Sequence, residues 1–117
     1  MSDLSRKEVI KILATSTNAR LAGVDLSGLE LSGLNFANAD LTRANLSYSD
    51  LSNAYLRNAR MEDTNLEGAV LTNVYLKGAI LKSANLKNAD LSGANLENAN
   101  IYGINLEGTK LDNVKGL

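Results

Sequence analysis

Every fifth residue from Leu21 to Leu111 is apolar, and no position in that register is missed. Leucine fills most of these central positions, with Phe36, Met61 and Ile101 in the others. Two residues before each central position stands a small or aliphatic residue, most often Ala. A helix advances about 100° per residue, so steps of five would scatter the leucines around its circumference. A straight strand alternates its faces with period two, so an odd spacing would throw successive leucines to opposite sides. The pattern is met by a chain that turns once per unit, with a short extended piece between corners. Residues two apart in that piece share a face. Ala39 with Leu41, Ala44 with Leu46 and Ala89 with Leu91 then point inward, while Asp40, Asn45 and Asp90 point outward.

The two remaining positions of each unit read as the corner. The first is polar in units such as those of Thr42, Ser47, Lys82 and Glu97. The second is frequently Gly or Asn, as at Gly23, Asn53, Gly68, Asn73 and Gly93. Those residues tolerate tight turns and positive φ. On this reading Leu66 is buried mid-stack, and Leu66→Asp should unfold the protein. Ser47 is expected at the surface, where Ser47→Asp should do little.

Five units match one formula literally: Ala39-Asp40-Leu41-Thr42-Arg43, Ala44-Asn45-Leu46-Ser47-Tyr48, Ala84-Asn85-Leu86-Lys87-Asn88, Ala89-Asp90-Leu91-Ser92-Gly93 and Ala94-Asn95-Leu96-Glu97-Asn98. The chain resembles the pentapeptide-repeat family, whose units read A(D/N)LXX, from residue 19 to about residue 115. The resemblance implies an all-β solenoid, a right-handed quadrilateral β-helix with four units per coil and about five coils here. At ~4.8 Å per stacked strand the prism would stand roughly 24 Å tall. The residues themselves support a twenty-residue repeat in part. Asp25, Asn45, Asn65, Asn85 and Asn105 would form one outward column, Ser32, Ser52, Thr72 and Ser92 another, and Tyr55 would lie over Tyr75. A spacing of ten nearly preserves the Asn column, so the four-unit coil rests mainly on the resemblance.

The ends break the register. Residues 1–17 read as an N-terminal helical cap and residues 18–117 as the repeat unit of a single domain. Ser5-Arg6-Lys7-Glu8 has the form of a capping box, with Leu4 and Val9 placed as a hydrophobic staple. A short helix from about Arg6 to Ala14 follows. It is too short to stand alone and should lie across the first coil, where Val24, Leu29 and Leu34 replace the usual Ala. At the other end Gly116 stands where the next Leu is expected, and Ile104 and Val114 enlarge the inward positions. Either these side chains plug the end themselves, or a second chain covers it to give a homodimer through the C-terminal coil. Related proteins of the fold pair in that way.

Composition moves the question of function to the surface. With no Cys and no His among 117 residues, a thiolate nucleophile, a zinc site and a Ser–His relay are excluded. No cofactor is expected. Candidate Ser, Thr, Lys, Asp, Glu and Tyr side chains all lie outward, with no loop insertion to build the concave pocket that catalysis needs, so the protein reads as a non-enzyme. The column Glu30, Asp50, Val70, Asp90 is interrupted by an apolar residue, which makes a metal site a weak alternative to plain solvated carboxylates. The Ser/Thr column is short for an ice-binding row. No stretch reaches the roughly 20 apolar residues of a membrane span, a secretory signal is not evident, and the lack of Cys fits a reducing compartment, so a cytoplasmic location is expected.

Some members of the resembled family mimic duplex DNA and bind type II topoisomerases, so gyrase inhibition is the alternative that the resemblance implies. B-DNA carries one charge per ~1.7 Å, which would require about 14 net negative charges on a prism of that height. The whole chain carries a net charge of −1, and it has no basic stripe for nucleic acid. What remains is a rigid structural or protein-binding module with an unidentified protein partner. Its outward apolar and aromatic residues are Tyr48, Tyr55, Val70, Tyr75, Ile80 and Tyr102. A four-sided coil would bring Tyr55 and Arg57 beside Tyr75 and Lys77, residue types favoured as interface anchors. Those four are the candidate protein-binding residues, although isolated exposed apolar side chains are also ordinary.

Overall fold

The five-residue units become corners in the computed structural model, which describes residues 2–117. In most units the amide of the small position donates back to the carbonyl of the central residue before it, as from Ala44 to Leu41 (2.9 Å) and from Ala79 to Leu76 (3.0 Å). The second corner residue has positive φ in every unit from Gly23 to Asn113, which is the requirement of a type II turn. Gly and Asn meet that requirement readily. Arg43 (φ 59°) and Tyr48 (φ 58°) do not, and each carries a cost of about 1–2 kcal/mol for left-handed backbone. They are held there by amide bonds to the next circuit, Arg43 to the Glu62 carbonyl (2.9 Å) and Tyr48 to the Glu67 carbonyl (2.8 Å).

Between corners each straight piece is so short that one residue makes the parallel bridge. Every bridge joins residues twenty apart, from Arg20–Asp40 to Asn95–Lys115. Four units therefore complete a circuit, and the outward residues fall into four columns. We call these the Arg face (Arg20, Asp40, Arg60, Ile80, Asn100), the Asn face (Asp25, Asn45, Asn65, Asn85, Asn105), the acidic face (Glu30, Asp50, Val70, Asp90, Lys110) and the Tyr face (Asn35, Tyr55, Tyr75, Asn95, Lys115). Within a bridge the bonds alternate direction: Leu46 donates to the Asn65 carbonyl (2.7 Å) and Asn65 donates back to that of Ala44 (3.0 Å).

The central residues from Leu21 to Leu96 and most of the small positions are buried and form one core. Two of the buried small positions are polar, and each finds an acceptor. The Ser49 hydroxyl donates to the Leu46 carbonyl (2.7 Å) and that of Thr64 to the Leu41 carbonyl (2.8 Å). Among the described residues no buried side-chain polar atom lacks a partner. No helix is long and apolar enough to cross a membrane.

Ser47 departs from expectation. It is 8% exposed, and its hydroxyl turns back to the Asn45 side-chain oxygen (2.7 Å) while its amide donates to the same atom (3.0 Å). Ser47→Asp would set a carboxylate against that oxygen, so it cannot serve as an innocuous surface change.

The N-terminal helix α1 spans Arg6–Thr15. Ser5 caps it by the expected reciprocal bonds: its side chain accepts from the Glu8 amide (3.3 Å), and its amide donates to Glu8 Oε1 (3.0 Å). The helix ends where Ser16 returns to extended backbone. Val9 is fully buried in the common core, and Leu4, Ile12 and Leu13 pack against it with Val24, Leu29 and Leu34. The segment before and within α1 also takes up the outer edge of the first units. The Asp3 amide donates to the Asp25 carbonyl (2.7 Å), the Asp25 amide to Asp3 Oδ2 (2.9 Å), the Ser2 hydroxyl to the Ser27 carbonyl and Arg6 Nη1 to the Glu30 carbonyl.

The opposite end is more open. Ile101, Ile104, Leu106 and Val114 are only partly buried, and Leu111 is 39% exposed. The amides of Ile101, Gly103, Leu106, Gly108, Leu111 and Asn113, which would donate to a further circuit, have no backbone acceptor among the described residues. Gly116 interrupts the leucine register for a local reason. A Cβ there would stand 2.6 Å from the Leu96 carbonyl carbon and the Glu97 amide nitrogen, so no larger side chain fits.

Candidate protein-interaction face

The ladder places the four candidate residues together. Tyr55 and Tyr75 bridge each other, and their amides are fixed to the carbonyls of Leu34 (2.9 Å) and Ala54 (3.0 Å). Their rings are stacked, with centroids 4.8 Å apart and planes within 3°. That separation is the spacing of neighbouring strands, ~4.7–4.9 Å, so the backbone sets the ring stack. Each tyrosine is about half exposed, at 47% and 46%. The inner ring faces cover one another and are closed to solvent. Arg57 and Lys77 follow at the corner and are exposed. Their carbonyls accept from Asn38 (2.9 Å) and Asn58 (3.0 Å), which fixes the two cations in consecutive layers.

The other outward apolar residues do not join this group uniformly. Val70 is exposed on the acidic face and Ile80 is partly buried on the Arg face. Tyr48 lies elsewhere: its ring covers Gly68, where a Cβ would run into it. Tyr102 is exposed at the open end. Arg60 was not singled out from the sequence. It is exposed just past the corner from Arg57, between Asp40 and Ile80 in its column. Its signal is spacing, three residues after Arg57 across one turn.

The remaining columns are occupied by local bonding. Asn85 donates to Asn65 (3.4 Å) and Asn105 to Asn85 (3.3 Å), so the expected amide ladder exists over those three residues. Asn45 lies outside that amide chain and instead accepts from Ser47. On the acidic face Val70 separates Asp50 from Asp90. The Ser52 hydroxyl of the Ser/Thr column donates to Asp50 (2.7 Å). A surface depression of about 510 Å³ lies between the end of α1 and residues 35–38. Its lining, Leu13, Ala14, Ser16, Thr17, Asn35, Ala37 and Asn38, contains no titratable side chain.

The same local bonds govern response to acid. The Thr42 hydroxyl, then the Thr42 amide, holds the Asp40 carboxyl below its ordinary range. The Ser92 hydroxyl and amide do the same for Asp90, and those of Ser27 for Asp25. A carboxylate with a lowered folded-state pKa stabilises above its unfolded value of about 3.9 and loses that contribution as pH falls through the folded value. Melting temperature is therefore expected to hold from neutral pH to about pH 5 and to decline through and below about pH 4. In Asp40→Asn/Asp90→Asn the amide oxygen can keep the turn bond, as Asn45 does, and the acid-induced decline measured by thermal melts should be shallower.

A family model described as pentapeptide repeats matches in eight copies, over residues 19–58, 49–88 and 71–113. No curated protein matches the chain by sequence. Among solved structures, a pentapeptide repeat protein from the Arabidopsis thaliana thylakoid lumen is 31% identical with a TM-score of 0.75, covering 77% of this chain and 63% of its own. A pentapeptide repeat protein from the cyanobacterium Cyanothece is 35% identical with a TM-score of 0.40, covering 80% and 65%. The plasmid-mediated fluoroquinolone resistance protein QnrB1 is 22% identical with a TM-score of 0.41, covering 83% and 60%. The chain thus spans less than two thirds of the length of each of these three. With its repeat register matched from residue 19 to residue 113, the chain belongs to the pentapeptide repeat family.

Proposed function

We propose that this chain is a non-enzymatic structural and protein-interaction module whose Tyr face docks a protein partner. Family membership implies a right-handed β-helix. The finer architecture in this reading is a four-sided prism of about five coils with α1 as the N-terminal cap, supported by the twenty-residue bridges and the burial of Val9. The observation that carries the functional reading is the half-exposed, stacked pair Tyr55–Tyr75 with Arg57 and Lys77 at its side. Aromatic and Arg side chains on a rigid backbone lose little entropy when a partner covers them. Affinity capture from native lysate with wild type and with Tyr55→Ser/Tyr75→Ser tests it. The double variant should fold normally, since both side chains are half exposed, and should lose specific captured proteins; an unchanged set would refute the reading. Duplex mimicry toward gyrase lacks comparable support, given the net charge of −1, and a supercoiling assay separates the two readings.

A second surface has its own observation. The C-terminal edge offers amides that lack backbone acceptors, and the Ala99, Ile104, Thr109 and Val114 carbonyls beside them accept no backbone bond among the described residues. An edge holding both donors and acceptors can pair with a copy of itself about a two-fold axis. A homodimer through this end is the proposed occupant. Sedimentation at micromolar concentration should give a dimer that Leu111→Glu dissociates; a monomeric wild type would remove the proposal.

A further inference from the structure

We infer that the partner segment received by the Tyr face is acidic and that carboxylates bind along the corner carrying Arg57, Arg60 and Lys77. This deepens the interaction reading and rests on it. Although the chain is nearly neutral, its charges are sorted by face. The acidic face and the corner that follows it hold Glu30, Asp50, Asp90 and Asp112 against Lys110. The Tyr face and the corner that follows it hold Arg57, Lys77 and Lys115 against Glu97. Next in column to Arg57 are Ala37 on one side and Lys77 on the other, so two cations stand in adjacent layers with no acid between them. Like charges directly opposite on paired strands oppose each other, and a natural sequence breaks such a local rule most often where a partner relieves it. Arg60, exposed across the corner, adds a third cation, and Asp40 beside it is its nearest counterweight in the column.

The tyrosines point to the same chemistry. Their parallel stack closes the two inner ring faces, which raises the share of ring edge in what each half-exposed tyrosine presents, and an aromatic edge is the positive part of the ring quadrupole. Carboxylates therefore meet favourable groups on both the rings and the cations. Single-stranded nucleic acid is less well served, because bases stack on ring faces and here the inner faces are already covered.

Fluorescence anisotropy with labelled decaglutamate tests the assignment, alongside a Gly-Ser decapeptide and decathymidylate. The expected result is saturable binding of decaglutamate that weakens with salt and falls at least about tenfold in Arg57→Glu/Lys77→Glu. Neither comparison ligand should match it. Lys87→Glu/Lys110→Glu makes the same charge change away from the Tyr and Arg faces and should retain binding. Equal loss in that control pair, equal binding of decathymidylate, or no binding of decaglutamate at low salt would overturn the inference. If decaglutamate fails while Tyr55→Ser/Tyr75→Ser still alters the captured proteins, the acidic assignment falls and the interaction reading stands. Salt-sensitive self-association abolished by Arg57→Glu/Lys77→Glu would overturn it in favour of a second copy's acidic face.

Discussion

Leu66→Asp is expected to abolish the folded state. Leu66 is fully buried between Leu46 and Leu86, the same column positions one circuit away on either side. Losing its burial removes about 1.5–3 kcal/mol. An aspartate there must either hold an unpaired charge in an apolar interior or take up a proton to avoid it, at a further cost of several kcal/mol. The total reaches the about 5–15 kcal/mol of stability a domain possesses. In a stack each layer is stabilised only by its neighbours, so a mid-stack defect separates the two halves. Asn98→Asp is the proper comparison: residue 98 is exposed with φ 59°, a conformation Asp tolerates. Far-UV circular dichroism and thermal melting should show Asn98→Asp close to wild type and Leu66→Asp unfolded. The core assignment is falsified if the two melt together.

Val9→Asp should damage one end and spare the rest. Val9 is the residue of α1 that is fully buried, and its replacement should cost about 2–5 kcal/mol by the same physics. A ten-residue helix without its packing face has little stability of its own. The expected signature is loss of the helical contribution to circular dichroism, increased binding of a hydrophobic dye and a lowered melting temperature, with the repeat still folded at room temperature. A variant that retains full helicity and binds no dye would show that α1 does not shield the first circuit. Contrasting this variant with Leu66→Asp separates shielding of an end from continuity of the stack.

The inward register was legible because it obeys one rule along the whole chain. Leu41, Leu66 and Leu91 are spaced alike, and a repeated geometry must treat them alike. Corners were legible where Gly or Asn stands. They were not legible at Arg43, Tyr48 and Ser83, where the ladder on both sides imposes positive φ on residues that would avoid it. Ser47 is polar yet buried, its hydroxyl bonded to the Asn45 side chain, and the register of the units alone does not show how deeply a corner residue sits. The role of Arg6 at the Glu30 carbonyl depends on where α1 settles, which local pattern does not encode. For the candidate face, a twenty-residue spacing brought Tyr55 over Tyr75, but the parallel ring stack and the neighbouring Arg60 required the actual turn of the corner.

The core repeats every five residues while the bridges repeat every twenty. These unequal periods give length changes two different outcomes. Adding or deleting a full circuit makes the molecule taller or shorter and leaves every column in line. A single unit gained or lost keeps each leucine on the axis but rotates everything beyond it by a quarter turn, so the surface is re-addressed while the interior is undisturbed.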